Sequence, residues 1–317
     1  MKRAFASLCL SAALAVTGAV VTAGCGHGSD SGSPGPATAA AGRSGPRPLT
    51  WQQELRITDA QQRLTRRCMN SHGFAYWEDR TLTLRESMPV RYVQDDVAWA
   101  EEYGYGGRIE ARQDQLRLHN PIAAYRQSLS PTRRAAFDKA LDGGGGSDVQ
   151  VLSAQLPGGG QEVRTRLGGC TKVAEEALYG DAGDWFRASK TATGLPALYG
   201  QQLLRDRQLT TAVSAWSRCM KRAGLSYPDP QAARDAVREN TARLGTTGAD
   251  KAFATERRTA AADATCARAT SLKTVAATRE TYYVDRLPGR YGEALDTYRR
   301  LERQAYDRAV RIVPQRA

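Results

Sequence analysis

A chain of 317 residues, 41% of them hydrophobic, can bury one large core or two ordinary ones, which excludes disorder along its whole length. Lys and Arg number 45 against 33 Asp and Glu, a formal charge of +12, and 38 of the 45 are Arg. Three His and six Cys argue against a His-rich metal enzyme and leave the thiols to be explained.

The N-terminus points to a compartment. Lys2 and Arg3 precede a charge-free run, Ala4 to Val21, rich in Ala, Leu and Val. A basic start followed by an apolar run of this length reads as a secretory signal peptide over residues 1–24. A spanning helix is disfavoured, because Gly24-Cys25-Gly26 and a polar tract follow at once with no basic stop-transfer flank. Thr22-Ala23-Gly24-Cys25 resembles a bacterial lipobox, matching at Ala23, Gly24 and Cys25 and departing at Thr22, where Leu is usual. That resemblance implies that Cys25 is lipidated on sulfur and becomes the mature N-terminus. The membrane is then a partner through the lipid anchor, each buried CH₂ adding about 0.8 kcal/mol. Ordinary cleavage after Val21-Thr22-Ala23, leaving Cys25 a plain thiol, is the competing reading. Loss of residues 1–24 discards Cys9 and the charges of Lys2 and Arg3, so the remainder carries +10.

Residues 26–48 hold six Gly, four Ser and four Pro in 23 positions and cannot bury a core. With Cys25 they form a lipidated N-terminus and flexible linker over 25–48, spanning roughly 25–29 Å root-mean-square as a random coil. His27 lies in this tether without converging ligands and is expected to be solvated.

The body opens with a helical pattern for which Thr58 is the candidate N-cap and Gln61 its capping-box partner. It runs into Cys68-Met69-Asn70-Ser71-His72-Gly73-Phe74-Ala75-Tyr76, which aligns without gaps with Cys219-Met220-Lys221-Arg222-Ala223-Gly224-Leu225-Ser226-Tyr227. Each copy predicts the same corner. A helix delivers Cys and Met, Gly takes the left-handed position that ends it, and Phe74 or Leu225 folds back as the contact of a Schellman cap. His72 could join a ligand set with Cys68, but the second copy has Ala223 there, so His72 is read as a surface or capping residue.

Asp95-Asp96 and Glu101-Glu102 are adjacent acids, read as solvated helix faces. Gly104-Tyr105-Gly106-Gly107 is a turn. After the Gly143–Gly146 breaker, alternating apolar positions on either side of Pro157-Gly158-Gly159-Gly160 predict a small β-hairpin over about 148–167, with a disordered loop as the other possibility. Further helices are expected over 203–223, over 229–244 with Asp229-Pro230 as N-cap and N1, over 250–284, and over about 290–312. The last two are expected to pack as a hairpin joined near Pro288-Gly289. Glu239–Arg243, Asp296–Arg300 and Asp307–Arg311 are candidate i,i+4 pairs.

The fold class is therefore mainly α, a helical bundle or set of hairpins with one small β-hairpin, braced by disulfides. The motif divides the body into a first half, 49–182, and a second, 183–317, closely packed on the first. Four body cysteines in an exported chain imply two disulfides with three possible connectivities. Cys68–Cys170 with Cys219–Cys266 is favoured because each half then closes on itself, each loop contributing about 4–5 kcal/mol on a chain-entropy account. A redox or metal thiol site is the alternative, disfavoured because no CxxC is present.

These segments resemble uncharacterised exported proteins and lipoproteins of high-GC actinobacteria. The resemblance rests on Cys68 to Tyr76, Gly104-Tyr105-Gly106, Ala136 to Gly143, Gly169-Cys170 to Gly180, Trp216 to Met220, Tyr227 to Pro230 and Ala262 to Cys266. It brings no established activity, so no catalytic residue is carried over, and the Arg excess fits a GC-rich genome.

No GxSxG, HExxH, GxxxxGK or paired GxGxxG occurs. No catalytic residue, cofactor or metal is expected. The basic pairs Arg66-Arg67, Arg133-Arg134, Arg257-Arg258 and Arg299-Arg300 could contact anionic envelope polymers or lipid headgroups, and another envelope protein is a further candidate partner. Export excludes nucleic acid. The resulting expectation is a membrane-anchored extracytoplasmic lipoprotein on the outer face of the cell membrane, with a non-catalytic envelope-interaction or scaffold role. An extracytoplasmic hydrolase acting on a wall component is the alternative.

Overall fold

The computed structural model describes residues 46–145, 149–159 and 161–316; Cys9, Cys25 and His27 lie outside them. The described chain is mainly helical, with a single two-stranded antiparallel sheet among the described residues. None of its helices is long and apolar enough to cross a membrane.

The first helix, α1 (Trp51–Ser71), has its N-cap at Thr50, eight residues before the expected Thr58. Thr50 and Gln53 form the capping box, each side chain bonding the other's backbone N–H. Thr58 lies inside α1 and returns its hydroxyl to the Glu54 carbonyl. At the C-terminus of α1 the Schellman cap forms as its sequence dictates. Gly73 has φ +75°, Phe74 N–H donates to the Met69 carbonyl at 3.0 Å, and Gly73 N–H donates to Asn70. The second copy ends α9 (Arg207–Arg222) identically: Gly224 has φ +79° and Leu225 N–H donates to Met220 at 2.9 Å. Both methionines are fully buried. Each corner thus hides its Met and turns its Cys toward a neighbouring helix.

Between these corners run α2 (Val97–Tyr103), α3 (Gly107–Leu118), α4 (Pro121–Ser128) and α5 (Pro131–Asp142). The hairpin follows, β1 (Gln150–Gln155) and β2 (Glu162–Leu167), and then α6 (Gly169–Tyr179), α7 (Ala182–Gly194) and α8 (Pro196–Leu204). The hairpin register places Leu152 opposite Thr165 and Ala154 opposite Val163. Leu152, Ala154 and Leu167 bury against Ala182 and Phe186 of α7, which provides the packing that an isolated hairpin lacks.

After α9 come α10 (Pro230–Leu244), α11 (Ala249–Ala269), α12 (Leu272–Val284) and α13 (Gly289–Ile312). Asp229 caps α10 by accepting from Ala232 N–H, with Pro230 at N1. The helix expected over 250–284 is interrupted. Thr270 ends α11, and Ser271, the one non-glycine residue with positive φ among the described residues, turns the chain into α12. The expected hairpin of the last two helices is not formed. Instead α12 packs on α8 and α9, while α13 runs back to pack on α1, α6 and α7. Of the expected i,i+4 pairs, none forms: Arg243, for example, donates to Asn240.

One core gathers Ile57, Ala60, Leu178, Tyr179, Ala305 and Ala309 where α1, α6 and α13 meet. A larger one centres on Trp216, Met220, Leu209, Tyr199 and Leu272. A third, Met69, Phe74, Phe137 and Cys170, sits under the first corner, with Phe74 and Phe137 edge-to-face at 5.4 Å.

The corners give a graded expectation. A Cβ at Gly224 meets nothing within 4 Å, whereas one at Gly104 (φ +68°) falls 2.6 Å from Glu256 Cγ. Gly224→Ala should cost about 1–2 kcal/mol of backbone strain alone. Gly104→Ala, which must also displace a buried carboxylate, should cost at least about 3 kcal/mol. Urea unfolding midpoints at unchanged m-value measure both.

Candidate functional site

The disulfides join Cys68 to Cys170 and Cys219 to Cys266, with Cα–Cα distances of 5.5 and 5.6 Å. Cys68 leaves the last turns of α1 and meets Cys170 at the start of α6; Cys219 leaves α9 and meets Cys266 in the last turn of α11. Among the described residues, only the first bridge has a histidine beside it. His72, exposed at the C-cap of α1, offers a ring nitrogen that lies within 4.8 Å of both sulfurs.

The most concentrated polar chemistry was not foreseen. It lies along one stripe of α11, where Glu256 and Asp263 stand two turns apart among Ala252, Ala260, Ala264 and Ala267, all buried. Glu256 Oε1 accepts the backbone N–H groups of Tyr105 and Gly107 at 2.8 and 2.9 Å, so the glycine turn between α2 and α3 closes around a carboxylate. Asp263 accepts from the Tyr105 hydroxyl at 3.0 Å and from Trp216 Nε1 at 2.9 Å. Arg234, itself buried, lies over the Tyr105 ring at 5.4 Å and donates to the Arg91 carbonyl. Burial pushes Asp263 up to about 6, against the opposing pull of Arg234 and its two hydrogen bonds. Burial likewise raises Glu256 in spite of the two N–H groups. An acid in a run of alanines at helical spacing was the signal available in the sequence.

A second acidic group lies between α1, α6 and α13. Glu302, hydrogen-bonded to Tyr298, is raised to about 7 by burial, with Glu54 adding to the rise and Arg299 and Arg303 opposing it. The Trp185 ring is stacked between Tyr179 at 3.8 Å and Tyr298 at 5.4 Å.

A cleft of about 440 Å³ opens beside α1, lined among others by Gln62, Glu86, Trp99, Glu110 and Arg316. The carboxylates with raised pKa are not among its lining residues. Glu86 in it is held below the usual range by the Thr83 N–H and by Arg112. At its edge Asp59, 1% exposed, is bound in two places by Arg316, at 2.5 and 2.8 Å, with Arg80 at 3.4 Å.

The sequence-identified acids and bases fall elsewhere. Asp96 caps α2 through Trp99 N–H, Asp95 pairs with Lys273 at 2.6 Å, and Glu102 pairs with Arg85 at 2.9 Å. Arg66 pairs with Glu78. Arg133 donates to the Gly73 carbonyl past α1, Arg134 to three carbonyls at the end of α4, and Arg257 to the Glu101 carbonyl at the end of α2. Arg56 does the same at the end of α13, reaching Val310 and Val313, and Arg308 at Leu178 near the end of α6. Guanidinium forks thus satisfy carbonyls that helix ends leave unpaired. Part of the basic excess thus also braces helix ends.

No protein-family model matches the chain, and neither the curated proteins nor the solved structures give a match.

Two outcomes follow. Glu302 and Asp263 bind protons in the folded state that the unfolded chain has released between about pH 4.5 and 7, so stability falls as pH rises through this window. Glu302→Gln should flatten this fall by about 1–3 kcal/mol in denaturation midpoints taken from pH 5 to 8. Arg316→Ala leaves the buried Asp59 to Arg80 alone and should cost about 2–4 kcal/mol, read by thermal unfolding at pH 7.

Proposed function

We propose that the protein is a membrane-anchored extracytoplasmic lipoprotein whose body binds another component of the envelope rather than catalysing a reaction. The observation that carries this reading is Cys25. It stands directly behind Ala23-Gly24 at the end of an uncharged apolar run, and a Gly/Ser/Pro-rich tether separates it from the folded body. Two disulfides in the body fit an oxidising compartment. The resemblance of the Cys-Met corners to exported actinobacterial proteins and lipoproteins points the same way.

A binding role is favoured over hydrolysis because the acids that a hydrolase would draw on are already engaged. Asp95, Asp96 and Glu102 hold caps or ion pairs, and Asp263 and Glu256 hold the turn and helices that surround them. Anionic wall polymers or lipid headgroups suit the net positive charge, and another envelope protein is the remaining partner class.

Cys25→Ser tests the anchor. The variant is expected to leave the membrane fraction for the medium and to lose incorporation of labelled palmitate. Retention of the variant in the membrane at the wild-type level overturns the lipoprotein reading.

A further inference from the structure

The two disulfides occupy corners of the same design but different chemical surroundings. Cys219–Cys266 has Ala223 at the C-cap position and places Cys266 in the last turn of α11, at the negative end of the helix dipole. Cys68–Cys170 has His72 at that position and places Cys170 second in α6, where unpaired N–H groups favour an anionic sulfur. Among the described residues, Cys68, His72 and Cys170 form the one set of three His, Cys or acidic side chains close enough to share a cation, their ligand atoms all lying within 4.8 Å. Cys170 is fully buried, Cys68 half-buried and His72 exposed, so the set is backed by the core and open on one side.

We propose that Cys68, Cys170 and His72 form a redox-gated site for a thiophilic divalent cation of the zinc class: closed as the disulfide, and opened by a dithiol reductant. In the opening step the S–S bond breaks and both sulfurs are reduced to thiols. The reductant supplies two electrons and two protons and leaves as its own disulfide. Cation binding then displaces the two thiol protons to solvent. Two thiolates neutralise the charge of a divalent ion, which allows the complex to sit against the core. His72 supplies a third ligand and water the fourth, a tetrahedral set with Zn–S near 2.3 Å and Zn–N near 2.0 Å. The site does not depend on the lipid anchor or on the identity of the envelope partner.

Cobalt(II), a spectroscopic stand-in for zinc, tests it on the full-length chain in detergent after reduction with a water-soluble phosphine and removal of the excess. The expected result is one Co²⁺ per chain, with thiolate-to-metal charge-transfer absorption that zinc abolishes and that the oxidised protein does not show. His72→Ala, at an exposed position that leaves the fold intact, should weaken Co²⁺ binding at least tenfold and remove the rise in Tm that zinc gives the reduced wild type. A Cys68→Ser/Cys170→Ser variant should lose the absorption although Cys219 and Cys266 remain. Unchanged affinity in His72→Ala overturns the proposal, as does charge-transfer absorption that persists in the double variant. Reduced wild type that loses its helical circular dichroism and is not restored by zinc overturns it as well.

Discussion

Two carboxylates on one helix are buried and must be hydrogen-bonded where they lie, and much of the body is arranged by that requirement. Glu256 and Asp263 lie on the buried stripe of α11. A buried acid is tolerated only if its oxygens are bonded, so whatever meets them is held in place. Glu256 takes two backbone N–H groups and thereby fixes the turn between α2 and α3. Asp263 takes Tyr105 from that same turn and Trp216 from α9. One further turn along, Cys266 ties α11 covalently to α9. The alanines between these anchors let α2, α9 and α10 approach closely enough for the bonds to form. Elements from well-separated parts of the chain are thus referred to one stripe.

A second principle works at the helix ends. Every helix leaves carbonyls unpaired at its C-terminus, and here arginine supplies part of what is missing, at α2, α4, α6 and α13. Lysine cannot take this part as well, because a point charge with rotatable donors lacks the planar fork that spans two carbonyls. The ratio of 38 Arg to seven Lys is therefore used by the fold, whatever its origin in base composition. The same bonds fix the orientation of several of these cations, while a neutral carbonyl leaves the charge of each in place.

Local signals carried the sequence reading well. The two Schellman corners, the Asp229-Pro230 helix start, the hairpin and the helical class could all be read from glycine, proline and apolar spacing, because each is decided within a few residues. The misreadings share a cause. Thr58-Gln61 satisfies the capping-box pattern as well as Thr50-Gln53 does, and only the packing of Ile57 and Leu49 on α13 decides for the earlier start. The direction of α13 is set by Ala305 and Ala309 meeting α1, a contact some 250 residues apart in the chain, which no window of spacing contains. The buried acids are not legible in the sequence because an isolated Glu or Asp on a helix is ordinarily solvated. What distinguishes Glu256 and Asp263 is a face made mostly of small residues, Ala252, Thr259, Ala260, Ala264 and Ala267.

The bridges also set how the chain answers a load. They enclose separate stretches, with partners 102 residues apart in the first and 47 in the second, and neither loop is nested in the other. If tension pulls the body open from its ends, neither enclosed stretch can be drawn out. At about 3.4 Å per extended residue, roughly 500 Å of contour stays locked while both bonds hold. More than two thirds of that reserve lies behind the Cys68–Cys170 bond alone. The first bridge is thus a stop on extension, and cutting it would release about twice the contour held in the free segment between Cys170 and Cys219.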